Sequence, residues 1–331
     1  MSFDFVQALS TNLLSPPVLF FVLGAVAALV RSDLKFPEAL YVALTIFLLC
    51  AIGLKGGVAM SSAGLRVVWL PALAALALGA LIPLWTYPVL RFVGKLPAAD
   101  AASIAGHYGS VSAVTFIAAT NFLKVAGVPY EEYATAFLAV MESPAIVVGL
   151  LLGKLAGRSR GAAADTTGLG TVFHEAILGR SVLLLVGTLL IGFVCGQRGM
   201  DSVAGFFVTP FQGVLALFLL ELGMVAGRRL GDLRQVGGFL LGFGIVMPVV
   251  HGLVGVGVGH WVGLSLGGAT LMGVLAASAS YIAAPVAMRL SLPEANPTLS
   301  LTAALVITFP FNITLGIPLY YAAAQWWFAG R

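Results

Sequence analysis

The sequence predicts an all-α polytopic membrane protein. Ten transmembrane helices form two inverted five-helix repeats, and the fourth and ninth helices are broken and cross. Three observations predict this. Composition comes first: of 331 residues, 60% are hydrophobic and only 9% charged, with a mean hydropathy of +1.04, where a soluble domain carries roughly a quarter charged residues. Second, apolar windows of about 20 residues, the length of a spanning helix, recur along the whole chain. Third, three landmarks in the first half return in the second at near-constant spacing.

The chain opens with "MSFDFVQALSTNLLSPP", which lacks a basic leading region and carries Asp4; a cleaved signal peptide is not expected. Apolar windows then place spans near 17–30, 38–60, 67–90, 101–123 and 131–153. "GKLAGRSRGAAADTTGLG", residues 153–170, is the longest connection and divides the chain almost in half. Further spans fall near 172–197, 203–227, 236–260, 265–289 and 298–327. The units are therefore 1–153, a linker at 154–171 and 172–331. So little polar sequence remains that no soluble domain is expected. Cys50 and Cys195 sit inside apolar segments and read as core residues, not as a disulfide.

Basic residues orient the spans. With the N-terminus outside, the inside loops hold Arg31, Lys35, Arg91, Lys95, Lys154, Arg158, Arg160, Arg228, Arg229, Arg234 and Arg289. The outside loops hold Arg66, Lys124, Arg198 and Arg331. Eleven against four places both termini outside and the linker inside. The net charge of +4 fits loop arginines against anionic lipid.

The repeat rests on three matches. "FLLCAIGLKGG" at 47–57 resembles "FLLELGMVAG" at 218–227, with Gly53 and Gly57 lying 170 residues before Gly223 and Gly227. Each pair is a G-x-x-x-G, a spacing that lets helix backbones approach closely. Ser110 and Ser112 in "GSVSAVTFIAA" precede Ser278 and Ser280 in "ASASYIAAP" by 168. Pro144 in "MESPAIVVG" precedes Pro310 in "ITFPFNITLG" by 166. Five spans per half is an odd number, so the second half enters the membrane upside down, as in many secondary transporters.

The fourth and ninth spans thus carry the same Gly/Ser/Ala-rich, hydroxyl-bearing stretch. Broken there, they offer helix N-termini to an anion, and hydroxyls and unwound carbonyls to a hard cation. Candidate substrate contacts are Tyr108, Gly109, Ser110, Ser112, Ala113 and Thr115, with Ser278, Ala279, Ser280 and Tyr281 opposite. Candidate sodium ligands are Ser112, Glu142, Ser280, Thr308 and Asn312. An intramembrane carboxylate such as Glu142 is a functional candidate by default. Competing readings are structural: hydroxyls bonded back to the preceding turn, His107 and Tyr108 as core groups, and Glu221 paired with Lys55 or Arg180. His251 and His260, in "HGLVGVGVGH", read as structural or interfacial, and His174 as an exposed residue at a helix start.

The chain lacks G-x-x-x-x-G-K-[ST] and so is not a single-chain nucleotide-driven pump. "GHYGSVSAV" offers an intramembrane serine nucleophile, but no fixed base accompanies it in both halves; an enzyme is not expected. The inverted repeat argues against a channel.

The sequence also resembles the sodium-dependent bicarbonate transporter family first described in cyanobacteria. The resemblance covers nearly the whole chain. It is carried by "FPEALYVALTIFLLCAIGLKGGVAM" at 36–60, "GSVSAVTF" at 109–116, "SASYIAAPVAMRLSLPEANPTLS" at 278–300 and "FNITLGIPLYY" at 311–321. It implies a core domain moving against a scaffold, a homotrimer in the bacterial inner membrane, and bicarbonate held where spans four and nine cross. Na⁺ binds nearby as the co-transported ion, with no organic cofactor. It further implies that a small PII-like regulatory protein docks on the cytoplasmic face. The sequence departs from the family pattern at Tyr281, where an acidic residue follows the serines, at Glu142-Ser143, where an Asp stands, and in a shorter central loop. These departures leave open another small anion, such as a monocarboxylate, or a proton-coupled variant.

Overall fold

The computed structural model describes residues 9, 10, 12–158 and 180–329. His174, Arg160, Arg331 and most of the central linker lie outside the described residues. Among those described, the chain is helical, with no strand. Four helices precede the first helix break, α1 (Pro16–Leu29), α2 (Glu38–Ala63), α3 (Leu65–Pro88) and α4 (Ala98–Gly109), and α5 (Ala113–Val125) follows it. Then come α6 (Thr135–Arg158), α7 (Arg180–Phe207), α8 (Phe211–Arg228), α9 (Leu233–Trp261), α10 (Leu266–Ala277) and α11 (Ala283–Ser291). A final helical run, α12 (Pro297–Ala329), includes widened turns at Thr302–Thr308 and Asn312–Gly316 on either side of Pro310, which cannot donate a backbone hydrogen bond.

Six stretches of the described residues are long and apolar enough to cross a membrane: Glu38–Ala63, Leu65–Val93, Glu132–Leu155, Val182–Phe207, Phe211–Trp261 and Pro297–Ala329. Phe211–Trp261 is α8 and α9 in series. α10, at 12 residues, is about 18 Å long and too short to span alone. Within α7 the backbone leaves helical geometry at Gly196 (φ +58°, ψ −162°), so two helical pieces meet there, next to the expected end of a span at 197. Glycine adopts this positive φ without steric cost, and the second piece runs on to Phe207.

Large apolar side chains point outward from the long helices. Leu19 and Leu23 on α1, Trp69 and Leu73 on α3, Leu190 and Val194 on α7, and Val246 and Val250 on α9 are all exposed. So continuous an apolar exterior suits hydrocarbon rather than water. The innermost elements are α4 and α10; every residue from Gly267 to Ala277 is buried.

Two helix pairs form the closest packing between elements remote in sequence, α2 with α7 and α1 with α8. Both use the G-x-x-x-G residues. A Cβ on Gly53 would overlap Thr188, and one on Gly57 the Leu189 carbonyl oxygen. A Cβ on Gly223 would overlap the Phe21 carbonyl oxygen, and one on Gly227 would crowd Ala25 and Ala28. The remaining helices pack mainly among themselves, α3 and α4 on α6, and α9 on α10.

Candidate functional site

Both short buried helices stop at a serine. α4 ends at Gly109, and Ser110 turns extended with φ −80° and ψ 170°; α10 ends at Ala277, and Ser278 does so with φ −80° and ψ 161°. Serine suits this point because its hydroxyl bonds local backbone and competes with the helix ladder. Ser278 Oγ donates to Leu275 O at 2.8 Å. After a short extended stretch each span resumes. Ser112 caps α5, accepting from Thr115 N at 3.1 Å and from Thr115 Oγ1 at 2.9 Å. On the other side Ser280 Oγ accepts from Ala284 N at 3.2 Å, in the first turn of α11.

The two breaks are stitched together. Ser112 N donates to Ser278 Oγ at 2.9 Å, and Ser280 N donates to His107 O at 2.8 Å. Ser112 Oγ also donates to the Tyr281 hydroxyl at 3.1 Å, and the Tyr281 ring packs edge-on against Phe309. Backbone that has left its helix is thereby satisfied by the opposite break, as burial demands.

A small cavity lies against these breaks. Its walls include Ser112 and Ala113 at the start of α5, Ser280, Tyr281 and Ile282 at the start of α11, Glu142 on α6 and Leu49 on α2. At about 20 Å³ it admits about one water-sized occupant. Glu142 is the one charged residue lining it. The first N–H groups of α5 and α11 have no acceptor within their own helices, and both helices present their positive ends here.

The remaining candidates fall around this centre. Ser110 is fully buried, its Oγ donating to the Glu142 backbone oxygen at 3.4 Å. Gly109 and Ala279 are buried in the breaks, and a Cβ on Gly109 would overlap the Pro83 ring on α3. Of the predicted residues, Ser112, Ala113, Glu142, Ser280 and Tyr281 line the cavity, whereas Tyr108, Gly109, Ser110, Thr115, Ser278, Ala279, Thr308 and Asn312 do not. Thr308 Oγ1 donates to Gly244 O at 2.7 Å and accepts from the Tyr108 hydroxyl at 2.7 Å. Asn312 Nδ2 donates to Ala277 O at 2.9 Å, while its Oδ1 accepts from Tyr320 at 2.9 Å. Asn312 thus holds the last carbonyl of α10. His107 Nδ1 donates within its own helix to Ser103 O. His251 Nε2 accepts from Trp85 Nε1 at 2.9 Å, and His260 packs against Trp327 and Phe328.

Lys55 is not the partner of Glu221. Its Nζ lies 2.9 Å from Glu132 Oε1, because the end of α2 meets the start of α6. The side chain of Arg180 lies outside the described residues. Sequence reasoning missed Leu49, Leu138, Val111 and Ile282 as wall residues. Val111 and Ile282 could have been found from their neighbours in the two serine stretches, whereas nothing distinguishes Leu49 or Leu138 from other apolar residues of their helices.

Fold and site together define a multi-pass helical membrane protein whose two interrupted helices meet at an ion-sized cavity that holds one carboxylate. The chain belongs to the Na⁺-dependent bicarbonate transporter superfamily, whose profile matches residues 16–325. Compared with curated proteins, it matches none.

Proposed function

We propose that the chain is a sodium-coupled bicarbonate symporter that works by alternating access at the paired helix breaks. The observation that carries this is the convergence of two helix N-termini and one carboxylate on a single buried cavity. Bicarbonate meets the positive ends of α5 and α11, each worth about half a charge, together with the hydroxyls of Ser110, Ser112, Ser278 and Ser280. Na⁺ takes oxygen from Glu142, Ser112 and Ser280. The two ions offset each other's desolvation, so the binding of one favours the other.

The inverted repeat supports this reading. α4 and α10 have equal lengths, 12 residues each, and equivalent serine ends. The packing of α1 on α8 repeats that of α7 on α2 with the halves exchanged: Gly24 meets Leu220, and Gly192, 168 residues later, meets Leu54. On this reading the chain has ten spans, two of them the broken pairs, with both termini outside. The α1–α2–α7–α8 group is the scaffold and the other helices form the moving core. Leu49 faces the cavity from the scaffold side while Glu142 and both breaks face it from the core. The cavity is too small for a four-heavy-atom anion, so sliding one group past the other would both open the site and change the side it faces. The proposal includes a homotrimer in the bacterial inner membrane and docking of a PII-like protein near the central linker.

Uptake of ¹⁴C-labelled bicarbonate into proteoliposomes tests it. Wild type should accumulate label only under an inward Na⁺ gradient, and Glu142→Gln should lose the Na⁺ dependence. Uptake indifferent to Na⁺ but driven by protons would make Glu142 a proton site. Acetate or pyruvate uptake that bicarbonate does not inhibit would overturn the substrate.

A further inference from the structure

A second, larger cavity of about 160 Å³ opens at the end of the molecule where α5 finishes and α6 begins. Its charged lining residues are Lys55, Lys124 and Glu132, accompanied by the polar side chains of Thr120, Tyr130, Thr135 and Gln212. Two cations against one anion leave a net charge of +1. Glu132 engages Lys55 at 2.9 Å, and Lys124 lies near enough to feel both the repulsion of Lys55 and the attraction of Glu132. Each ammonium carries three donors, so the salt bridge does not exhaust them. Lys124 and Glu132 are exposed, so the mouth is open to solvent.

The position of this cavity is as informative as its charge. The same three helices that wall the site at the breaks continue into it. Along α2 the walls run from Leu49 to Ile52 and Lys55; along α5 from Ala113 to Phe116, Thr120 and Lys124; along α6 from Glu142 to Leu138 and Thr135. Ala113 and Lys124 are about 16 Å apart along the helix axis. Between the two cavities stand Leu49, Ile52, Phe116, Ile117 and Leu138, all buried. A cationic mouth thus leads to an apolar collar, with the polar site behind it.

We propose that this cavity is a capture vestibule for a small oxyanion, with Lys124 as its main contact. Glu132 tempers the field by holding Lys55. The inference rests on the transport reading above and on the orientation that puts residues 124–132 outside. Capture precedes the conformational step, so the vestibule sets apparent affinity rather than maximal rate. Its charge acts over about a Debye length, some 8–10 Å in physiological salt, and cationic clefts raise anion association by about tenfold or more.

The test is initial-rate bicarbonate uptake in proteoliposomes across bicarbonate concentrations, at low and high ionic strength. Lys124→Gln should raise KM about three- to tenfold with Vmax unchanged and should flatten the salt dependence. Lys124→Glu should raise KM further, and Glu132→Gln should lower it. A wild-type KM and salt dependence in both Lys124 variants would overturn the vestibule while leaving the transport reading standing. A fall in Vmax at constant KM would also overturn it, because Lys124 would then act in the conformational step. Absence of uptake by folded wild type would overturn the transport reading and this inference with it.

Discussion

Replacing Ser112 with alanine removes one oxygen that takes part in three bonds. It accepts from Thr115 N and Thr115 Oγ1 and donates to the Tyr281 hydroxyl. Hydrogen bonds between helices in a bilayer contribute about 0.6 kcal/mol on average and rarely above 1.7, while an N-cap contributes about 1 kcal/mol. The expected loss is therefore about 2 kcal/mol, below what alanine costs at a core leucine yet centred on an oxygen that helps join the start of α5 to the opposite break. Unfolding by SDS titration in lipid–detergent micelles gives the stability, and proteoliposome uptake gives the transport. Pairing Ser112→Ala with Tyr281→Phe in a double-mutant cycle isolates the 3.1 Å bond, with an expected coupling near 0.6 kcal/mol. Transport should fall with stability, since α5 loses the anchor of its N-terminus. A stability loss under about 0.5 kcal/mol with normal uptake would refute the reasoning. Full stability with lost Na⁺ dependence would refute the strut role alone and leave the hydroxyl with its proposed part as an ion ligand.

Gly57→Ala and Gly223→Ala should each destabilise by about 1–3 kcal/mol, read by the same titration, because each new methyl meets a backbone carbonyl of the paired helix, whereas Gly213→Ala, with nothing near its Cβ, should be neutral. Glu131→Gln should cost about 1–3 kcal/mol, because its carboxylate accepts from Ser265 N at 2.7 Å and Ser265 Oγ at 2.9 Å at the N-terminus of α10; an unchanged unfolding midpoint would deny that this carboxylate anchors the broken span.

The helix breaks were legible because they follow from local chemistry. Two Ser-x-Ser stretches among small residues, 168 apart, mark places where hydroxyls compete with the helix ladder, and the breaks fall there. The G-x-x-x-G pairs were legible as contacts for the same reason, since only a missing Cβ admits a backbone so close. Their partners were not, because no local signal names α7 or α1. Thr308 and Asn312 drew notice as polar residues beside Pro310 in an apolar helix. Which acceptors they reach depends on where α9 and α10 lie, and the Gly244 and Ala277 carbonyls are invisible to local pattern. Lys55 and Glu132, 77 positions apart, are a stronger case: their pairing follows from how the end of α2 meets the start of α6. Sequence locates groups that need a partner; packing chooses the partner.

The composition of the cavity bears on why an anion would travel with a cation. No basic side chain lines it, and its one charged residue, Glu142, repels an anion. Two helix N-termini of about half a charge each roughly balance that carboxylate, leaving a site near neutrality that holds neither ion strongly alone. A fixed arginine would bind bicarbonate without sodium and would also hold it after the site turned inward. On the proposed symport, partial charges from backbone would retain the anion only while Na⁺ neutralises Glu142, and loss of Na⁺ to a sodium-poor interior would release both. Coupling on this view is a property of where two helices stop and one carboxylate stands. Glu142→Gln should therefore let bicarbonate bind without Na⁺ while slowing its release.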